Sequence, residues 1–241
     1  MSLERLMTYV TKCVSSFLAL VLLVRCTLFA SALKDNEDVG SCPVYTSGDP
    51  DGHMIALTFD DGPHPTKTTE ILDILKSNDV VATFFVVGDN ALQNEEIVER
   101  ICREGHEIGN HTLSHKYLSG EKVGTMEREI DLCDDIIYNH SEYHTTVFRP
   151  PGGLYDASLA SVCLRRGYSI VLWSIDTRDW EGKSSFDICR EVYDNVQDGS
   201  IILMHDYICI ESHTAEALRT MIPKLKELGY RFVTVSELIG D

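Results

Sequence analysis

Basic residues are scarce in this chain. It contains 21 lysines and arginines against 38 aspartates and glutamates, which gives a formal net charge of −17. Proteins that hold nucleic acid do so largely through lysine and arginine contacts with phosphates. The charge therefore excludes nucleic acid as an expected partner, and solubility is its simplest explanation.

Glycine-rich phosphate loops are missing as well. Neither Gly-x-Gly-x-x-Gly nor Gly-x4-Gly-Lys-Ser/Thr opens a predicted helix. Such loops hold phosphate groups with main-chain N–H groups at a helix N-terminus. Their absence argues against a nucleotide-binding function.

Long hydrophobic runs are also absent. The mostly apolar run Cys13–Val24 has twelve residues and ends at Arg25, whereas a membrane-spanning helix needs about 20. Basic residues precede this run, and the small residues 30–32 that follow it suit signal cleavage. We therefore interpret residues 1–32 as a signal peptide, with an uncleaved membrane anchor as the alternative. A cleaved signal predicts a protein that is secreted or held at the cell surface or cell wall, without a stable membrane span.

Six cysteines follow the predicted signal peptide. In an oxidising compartment they allow fifteen complete pairings, and the sequence does not choose among them. Those in predicted helices fit equally well as small buried hydrophobic residues. The six are Cys42, Cys102, Cys133, Cys163, Cys189 and Cys209.

Short apolar segments alternate with segments of helical spacing along the rest of the chain. This alternation is typical of a parallel sheet covered by helices, either an open doubly wound sheet or a barrel. We predict one α/β domain over residues 53–241, preceded by a leader segment over residues 33–52. The predicted strands are Ile55–Phe59, Ala82–Val87, Glu107–Gly109, Thr145–Phe148, Tyr168–Ile175, Ile201–Met204 and Arg231–Val235. The predicted helices are Thr68–Ser77, Glu95–Glu104, Thr125–Tyr138, Ala157–Arg166, Phe186–Val196 and Thr214–Leu228.

Polar side chains follow several of the predicted strands. In a parallel α/β fold the carboxyl ends of the strands share one face, where active sites are found. We therefore expect these side chains to lie close together. They are Asp60 and Asp61, Asn110 and His111, Arg149, Asp176 and Asp179, and His205 and Asp206.

His111 and His115 are four residues apart, a spacing that places two imidazoles on the same side of a helical turn. Two imidazoles and one carboxylate, with a fourth position left to water, form a common catalytic zinc site. The adjacent Asp60 and Asp61 suit this site, because side chains diverge at a strand end. One aspartate can then coordinate the ion while its neighbour takes a proton from water. Alone, either pattern also fits an ordinary solvated surface.

Five segments together resemble the motifs of the polysaccharide deacetylases, the NodB-homology or carbohydrate esterase family 4. The resemblance extends from residue 54 to about residue 239 and follows the family's order and approximate spacing. The segments are "TFDDGP" (58–63), "HTLSH" (111–115), "RPPGG" (149–153), "DTRDW" (176–180) and "LMHD" (203–206).

The resemblance implies a distorted (β/α) barrel of seven or eight strands and a role for each matched residue. Asp61, His111 and His115 would hold a divalent ion, Zn²⁺ or alternatively Co²⁺. Asp60 would be the general base, and Arg149 would pair with it. His205 would be the general acid, oriented by Asp179, while Trp180 and Leu203 would line the pocket for the acetyl methyl group.

One position departs from a common version of the third motif. Gly152 follows the two prolines, where many members carry an aromatic residue. Its N–H can still hold the oxyanion, but the aromatic wall is lost, and Tyr155 is a candidate to fill part of that gap. By contrast, His64 is interpreted as a turn residue and Trp173 as part of the core.

The implied activity is metal-dependent hydrolysis of N-acetyl groups from N-acetylglucosamine polymers. Within the family the chain most resembles chitin deacetylases, so we expect chitin as the first substrate, and the acidic chain also disfavours an anionic wall polymer. Peptidoglycan and acetylxylan are alternatives within the same family. A secreted, non-catalytic carbohydrate-binding or cell-wall protein is an alternative of another class. A two-carboxylate glycosidase fits less well, because it leaves the histidine pair unexplained.

Overall fold

The computed structural model describes residues 41–208 and 211–240. The predicted signal peptide, residues 33–40 of the predicted leader and Cys209 lie outside these ranges. Among the helices that are described, none combines the length and the apolar character needed to cross a membrane.

Nine short strands form one curled parallel sheet, in the order β1-β6-β5-β4-β3-β2-β8-β7, with β9 beside the start of β2. Gly48 N–H donates to the Gly199 carbonyl over 2.8 Å and so joins the segment after β1, at one end of the sheet, to the turn before β8, next to the other end. This architecture confirms the predicted distorted (β/α) barrel. The strands are β1 (Val44–Tyr45), β2 (Met54–Asp60), β3 (Thr83–Val86), β4 (Glu107–Asn110), β5 (Val147–Phe148), β6 (Ser169–Val171), β7 (Ile175–Asp176), β8 (Ile201–His205) and β9 (Arg231–Phe232).

The helices pack their apolar faces against the sheet. In α4, for example, Met126, Ile130, Cys133 and Ile137 recur every three or four residues and are fully buried, as expected for one face of a helix. Asp156, Ser184 and Thr234 cap the helices that follow them. The helices are α1 (Lys67–Ser77), α2 (Gly88–Gln93), α3 (Glu95–Arg103), α4 (Val123–Ser141), α5 (Ala157–Arg165), α6 (Ser185–Asn195), α7 (Thr214–Glu227) and α8 (Val235–Ile239).

Two predicted strands differ from the structure. The predicted strand Tyr168–Ile175 is interrupted, because the carbonyls of Val171 and Leu172 accept hydrogen bonds from Arg149. The predicted strand Arg231–Val235 ends early, since the Thr234 hydroxyl accepts from the Glu237 N–H and starts α8. In the first case a side chain takes the place of a strand partner, and in the second a helix cap follows directly on the strand.

Strand β1 was not predicted and lies within the predicted leader segment. Its residues Val44 and Tyr45 pair with Ile170 and Val171 of β6. Cys42, just before it, is buried. Two residues are too few to show a strand period, so only the pairing identifies this edge strand.

The five cysteines within the described ranges are free thiols. Four of them, all except Cys102, are buried. Cys133 lies against the main core of the barrel, and burial raises the pKa of its thiol. In this part of the chain, cysteines fill the core as small hydrophobic residues.

Candidate active site

The carboxyl ends of the strands surround a cavity of about 330 Å³. Residues from all five sequence motifs line it, the third motif through the main chain of Gly152. Its lining comprises Asp60, Asp61, His111, His115, Tyr117, Gly152, Trp173, Asp176, Trp180, Leu203 and His205. A separate cavity of about 450 Å³ between α6 and α7 contains none of the predicted site residues.

The two adjacent aspartates point in different directions. Asp60 ends β2, is 4% exposed and pairs in register with His205 of β8. Asp61 leaves the strand with a left-handed backbone, φ 77°. The Asn90 amide secures this turn by donating to the Asp61 carbonyl over 2.7 Å. The turn keeps Asp60 in the sheet and carries Asp61 beyond it, and both residues line the cavity.

Arg149 is fully buried beneath Asp60. Its Nη1 lies 2.7 Å from Asp60 Oδ1 and 2.8 Å from the Thr58 hydroxyl. The guanidinium also donates to two carbonyls at the end of β6, those of Val171 and Leu172, and lies 4.0 Å from the centre of the Phe85 ring. A buried charge is tolerated when it is paired and hydrogen-bonded. Arg149 therefore compensates the buried charge of Asp60 and fixes its carboxylate.

The segment that carries His111 and His115 is a loop, so the predicted helical turn is wrong. Thr112 and His115 have positive φ angles of 69° and 55°. The side chain of Asn110 accepts from the Thr112 N–H, and Glu129 accepts from the Ser114 N–H. These side-chain contacts fold the loop and bring the imidazoles together without helical spacing.

Asp61, His111 and His115 form a cluster that could hold a metal ion. Their ligand atoms all lie within 4.8 Å of one another. The Asp61 carboxylate oxygen Oδ1 is 3.4 Å from His111 Nε2 and 3.1 Å from His115 Nε2. The donor set of two imidazoles and one carboxylate is the one that zinc takes in catalytic sites.

The orientation of His111 supports this assignment. Its Nδ1 lies 2.7 Å from the Arg149 carbonyl oxygen. With Nδ1 held by this carbonyl, Nε2 is the ring nitrogen that faces the Asp61 carboxylate and is left to bind a cation, as in many metal-binding histidines. The same arginine thus holds the candidate base through its side chain and a candidate ligand through its carbonyl.

Electrostatic interactions within the cluster shift two pKa values. Burial alone would raise the pKa of Asp61, but hydrogen bonds from His111 and His115 outweigh it and hold that pKa well below its usual range. The hydrogen bond to Asp61 raises the pKa of His115. The carboxylate is therefore ionised and available to a cation.

His205 lies on the other side of Asp60 and is held by Asp179. Its Nδ1 is 2.8 Å from Asp179 Oδ1, while Asp179 Oδ2 accepts from the His205 N–H and from the Thr214 hydroxyl. Burial lowers the pKa of His205, but the hydrogen bond and charge of the fully buried Asp179 outweigh this effect and raise it to about 9. The imidazolium form is thus favoured at neutral pH.

The Asp179 interaction predicts a change in pH dependence. If protonated His205 is required, activity falls as pH rises through its pKa. Asp179→Asn removes the charge that raises this pKa, so the alkaline limb of the kcat/KM profile should move to lower pH by about 1 to 3 units. Thr214→Val, which removes one hydrogen bond and no charge, should produce a smaller shift. An unchanged alkaline limb in Asp179→Asn would contradict this role.

Asp206 positions the turn of the first motif. Its carboxylate accepts from the Thr68 hydroxyl over 2.6 Å, and that hydroxyl accepts from the His64 N–H over 2.7 Å. A Cβ at Gly62 would lie 2.1 Å from Asp206 Oδ2. Only glycine therefore fits between the two aspartates and the proline. His64 itself accepts N–H bonds at the start of α1, in agreement with its interpretation as a turn residue.

The aromatic lining differs in part from the sequence prediction. Trp180 is 47% exposed and Leu203 is buried, and both line the cavity as predicted. Trp173 also lines it, so its assignment to the core alone was incomplete. Asp176 also lines the cavity; it was expected at this face of the sheet but was given no role. Tyr117 is a lining residue that was not predicted. Tyr117 lies two residues beyond the second motif, where only its position hinted at a role.

Gly152 has a left-handed backbone, with φ 64°. The aromatic side chain next to it in space is that of Tyr117. The ring carbon Cε1 of Tyr117 lies 2.8 Å from the place where a Cβ of residue 152 would stand. Tyr155 is 40% exposed and is not among the described residues that line the cavity. Its proposed substrate contact thus has no support from this geometry.

Comparison with known proteins gives matches over most of the chain. The profile of the family described as polysaccharide deacetylase matches residues 47–171. A peptidoglycan-N-acetylglucosamine deacetylase of Bacillus cereus is 41% identical over 188 residues, which are 77% of this chain and 88% of that protein. The peptidoglycan-N-acetylglucosamine deacetylase PgdA of Listeria monocytogenes is 38% identical over 78% of this chain, but the match spans 39% of its own length.

A solved structure has the same architecture. The crystal structure of the Bc1960 peptidoglycan N-acetylglucosamine deacetylase in complex with 4-naphthalen-1-yl-N-oxidanyl-benzamide superimposes with a TM-score of 0.80. It is 37% identical in sequence, and the match covers 83% of this chain and 94% of that one. The curled sheet and its helices are thus shared with a deacetylase scaffold.

Proposed function

We propose that this chain, which belongs to the polysaccharide deacetylase family, hydrolyses the N-acetyl groups of N-acetylglucosamine residues in peptidoglycan. The observation that carries the proposal is the placement of Asp60 between a candidate metal cluster and His205, all around one cavity. Amide hydrolysis needs a base to activate water and an acid to protonate the departing amine. Asp60 and His205 would supply these two groups.

Asp61, His111 and His115 would hold a divalent ion, and Zn²⁺ is the first candidate for this donor set. When bound, such an ion supplies Lewis-acid chemistry at a carbonyl and makes water a stronger acid. The orientation of His111 by the Arg149 carbonyl is the structural feature that fits this use.

Asp60 would remove the proton from the attacking water. Arg149 keeps the carboxylate fixed and leaves its Oδ2 facing the cavity side, where His111 Nε2 is 3.8 Å away. His205, whose Nδ1 is bound to Asp179, would protonate the amine through Nε2. The N–H of Gly152, at the edge of the cavity, would donate to the developing oxyanion.

The substrate proposal rests on the relatives. Both are named for peptidoglycan N-acetylglucosamine, which favours the alternative raised from the sequence over chitin. The net negative charge describes the whole chain and not the cavity, where only local charges act. Because peptidoglycan lies outside the cytoplasmic membrane, this substrate also agrees with the proposed signal peptide and a cell-wall location.

The proposal is tested by acetate release. The protein is incubated with Zn²⁺ or Co²⁺ and with one polymer at a time. The polymers are peptidoglycan, N-acetylglucosamine (chitin) oligomers and acetylxylan. We expect release from peptidoglycan, with a higher kcat/KM than on the oligomers and little on acetylxylan. Faster release from chitin oligomers would restore the chitin prediction. No release from any polymer by protein that contains metal would favour the non-catalytic binding protein.

A further inference from the structure

Tyr117 has an exposed ring in the catalytic cavity. Its side chain is 56% exposed, and it lines the cavity together with aspartates, histidines and two tryptophans. The ring meets His115 edge-on, with the ring centres 6.1 Å apart. A largely exposed aromatic ring gains little from folding, and an aromatic face in a cleft is a common binding surface.

The backbone at Gly152 makes room for this ring. A Cβ there would lie 2.8 Å from Tyr117 Cε1, closer than real contacts allow, and the φ angle of 64° also disfavours any other residue. Tyr117 comes from the loop after β4 and Gly152 from the turn after β5. The ring therefore covers a main-chain surface that the glycine leaves open.

We infer that Tyr117 is a specificity-determining residue that binds the sugar ring next to the acetylated unit. One face of a pyranose ring carries several C–H groups, and such a face packs well on an aromatic ring. The Tyr117 ring contacts both the Gly152 turn and the candidate ligand His115, so a sugar stacked on it would lie beside the reacting acetyl group. The inference rests on the proposed function and adds a residue that binds the polymer.

The first test compares ring removal with ring retention. Tyr117→Ala should raise KM for the N-acetylglucosamine pentamer about 10-fold and change kcat less than about 3-fold. Tyr117→Phe should retain KM within about 2-fold, because stacking needs the ring and not the hydroxyl. Tyr138→Ala, at an exposed tyrosine of α4 that stacks on His144, is the matched control. The result that overturns the inference is an unchanged KM in Tyr117→Ala, or a kcat loss with a loss of bound metal.

A double-mutant cycle tests the contact with Gly152. Gly152→Ala should displace the ring and raise the pentamer KM in the otherwise native chain. In the Tyr117→Ala background, the same change should have a much smaller effect on KM, because the ring is already gone. Full additivity of the two effects would show that they act independently and would overturn the inferred contact.

Binding measurements separate failure of this inference from failure of the proposed function. If the wild type releases no acetate from any polymer, the function fails, but calorimetric titration with the pentamer still tests Tyr117. Weaker binding by Tyr117→Ala than by Tyr138→Ala supports the inference. Equal binding by these two variants, or undetectable binding to the wild type, overturns it.

Discussion

Asp60→Asn is expected to lower kcat for acetate release by about 10²- to 10⁴-fold, the range that a positioned general base contributes. Asparagine has nearly the same shape as aspartate, but its amide does not take a proton at neutral pH. The carbonyl oxygen of the new side chain can still accept from Arg149, which bonds to Asp60 Oδ1 over 2.7 Å in the native chain. The measurement is kcat on peptidoglycan at saturating Zn²⁺.

Metal content and stability provide the controls for Asp60→Asn. Since Asp60 is not in the candidate metal cluster, bound Zn²⁺ should remain close to one per chain. Some loss of thermal stability is expected, because Arg149 loses the charge that compensates it in a fully buried position. Asp135→Asn, at an exposed position of α4, should match the wild type in all three measurements. Near-native turnover by folded Asp60→Asn would show that another group is the base.

His111→Ala is expected to weaken Zn²⁺ binding at least about 100-fold and to reduce turnover accordingly. Loss of a group that only orients a ligand already costs about 10- to 100-fold, and His111 is itself the most buried of the three candidate ligands. The measurement is equilibrium metal affinity with a competing chelator. His140→Ala, at a histidine of α4 outside the cavity, is the matched control.

A second substitution separates metal loss from unfolding. His111→Ala also removes the donor to the Arg149 carbonyl, so the fold around these two buried residues is weakened as well. His111→Asn keeps an N–H near the position of Nδ1 and lacks the Nε2 that faces Asp61. It should fold with near-native stability and still lose the ion. Native Zn²⁺ affinity in His111→Asn would show that the ion does not bind at this cluster.

Most of the secondary structure follows from local sequence patterns. Strand β2 is a continuous apolar segment that is buried along its length, and α4 shows a clear helical period. Such patterns depend on residues close together in the chain, so sequence alone reveals them. The short β1, the break between β6 and β7 and the early end of β9 depend on partners far away in the sequence, and those elements were missed or placed wrongly.

The candidate site likewise combines features that local sequence predicts with features that depend on contacts between distant residues. The predicted groups at the strand ends do converge, because parallel strands of one sheet end on one face. The route of the chain between them was not predictable. His111 and His115 converge through a loop that Asn110 and Glu129 hold in place, although their spacing indicated a helix.

By itself, the sequence determined the α/β class through its periodicity, and its five motifs determined the family. The resemblance of those motifs implied the barrel and the candidate residues for chemistry, because it depends on side-chain types at fixed positions. Tertiary structure alone decided which atoms meet. The Arg149 carbonyl reaches His111, Thr214 supports Asp179, and the Tyr117 ring covers Gly152. These contacts join segments that are distant in the chain, and their geometry depends on how the sheet curls and the loops pack.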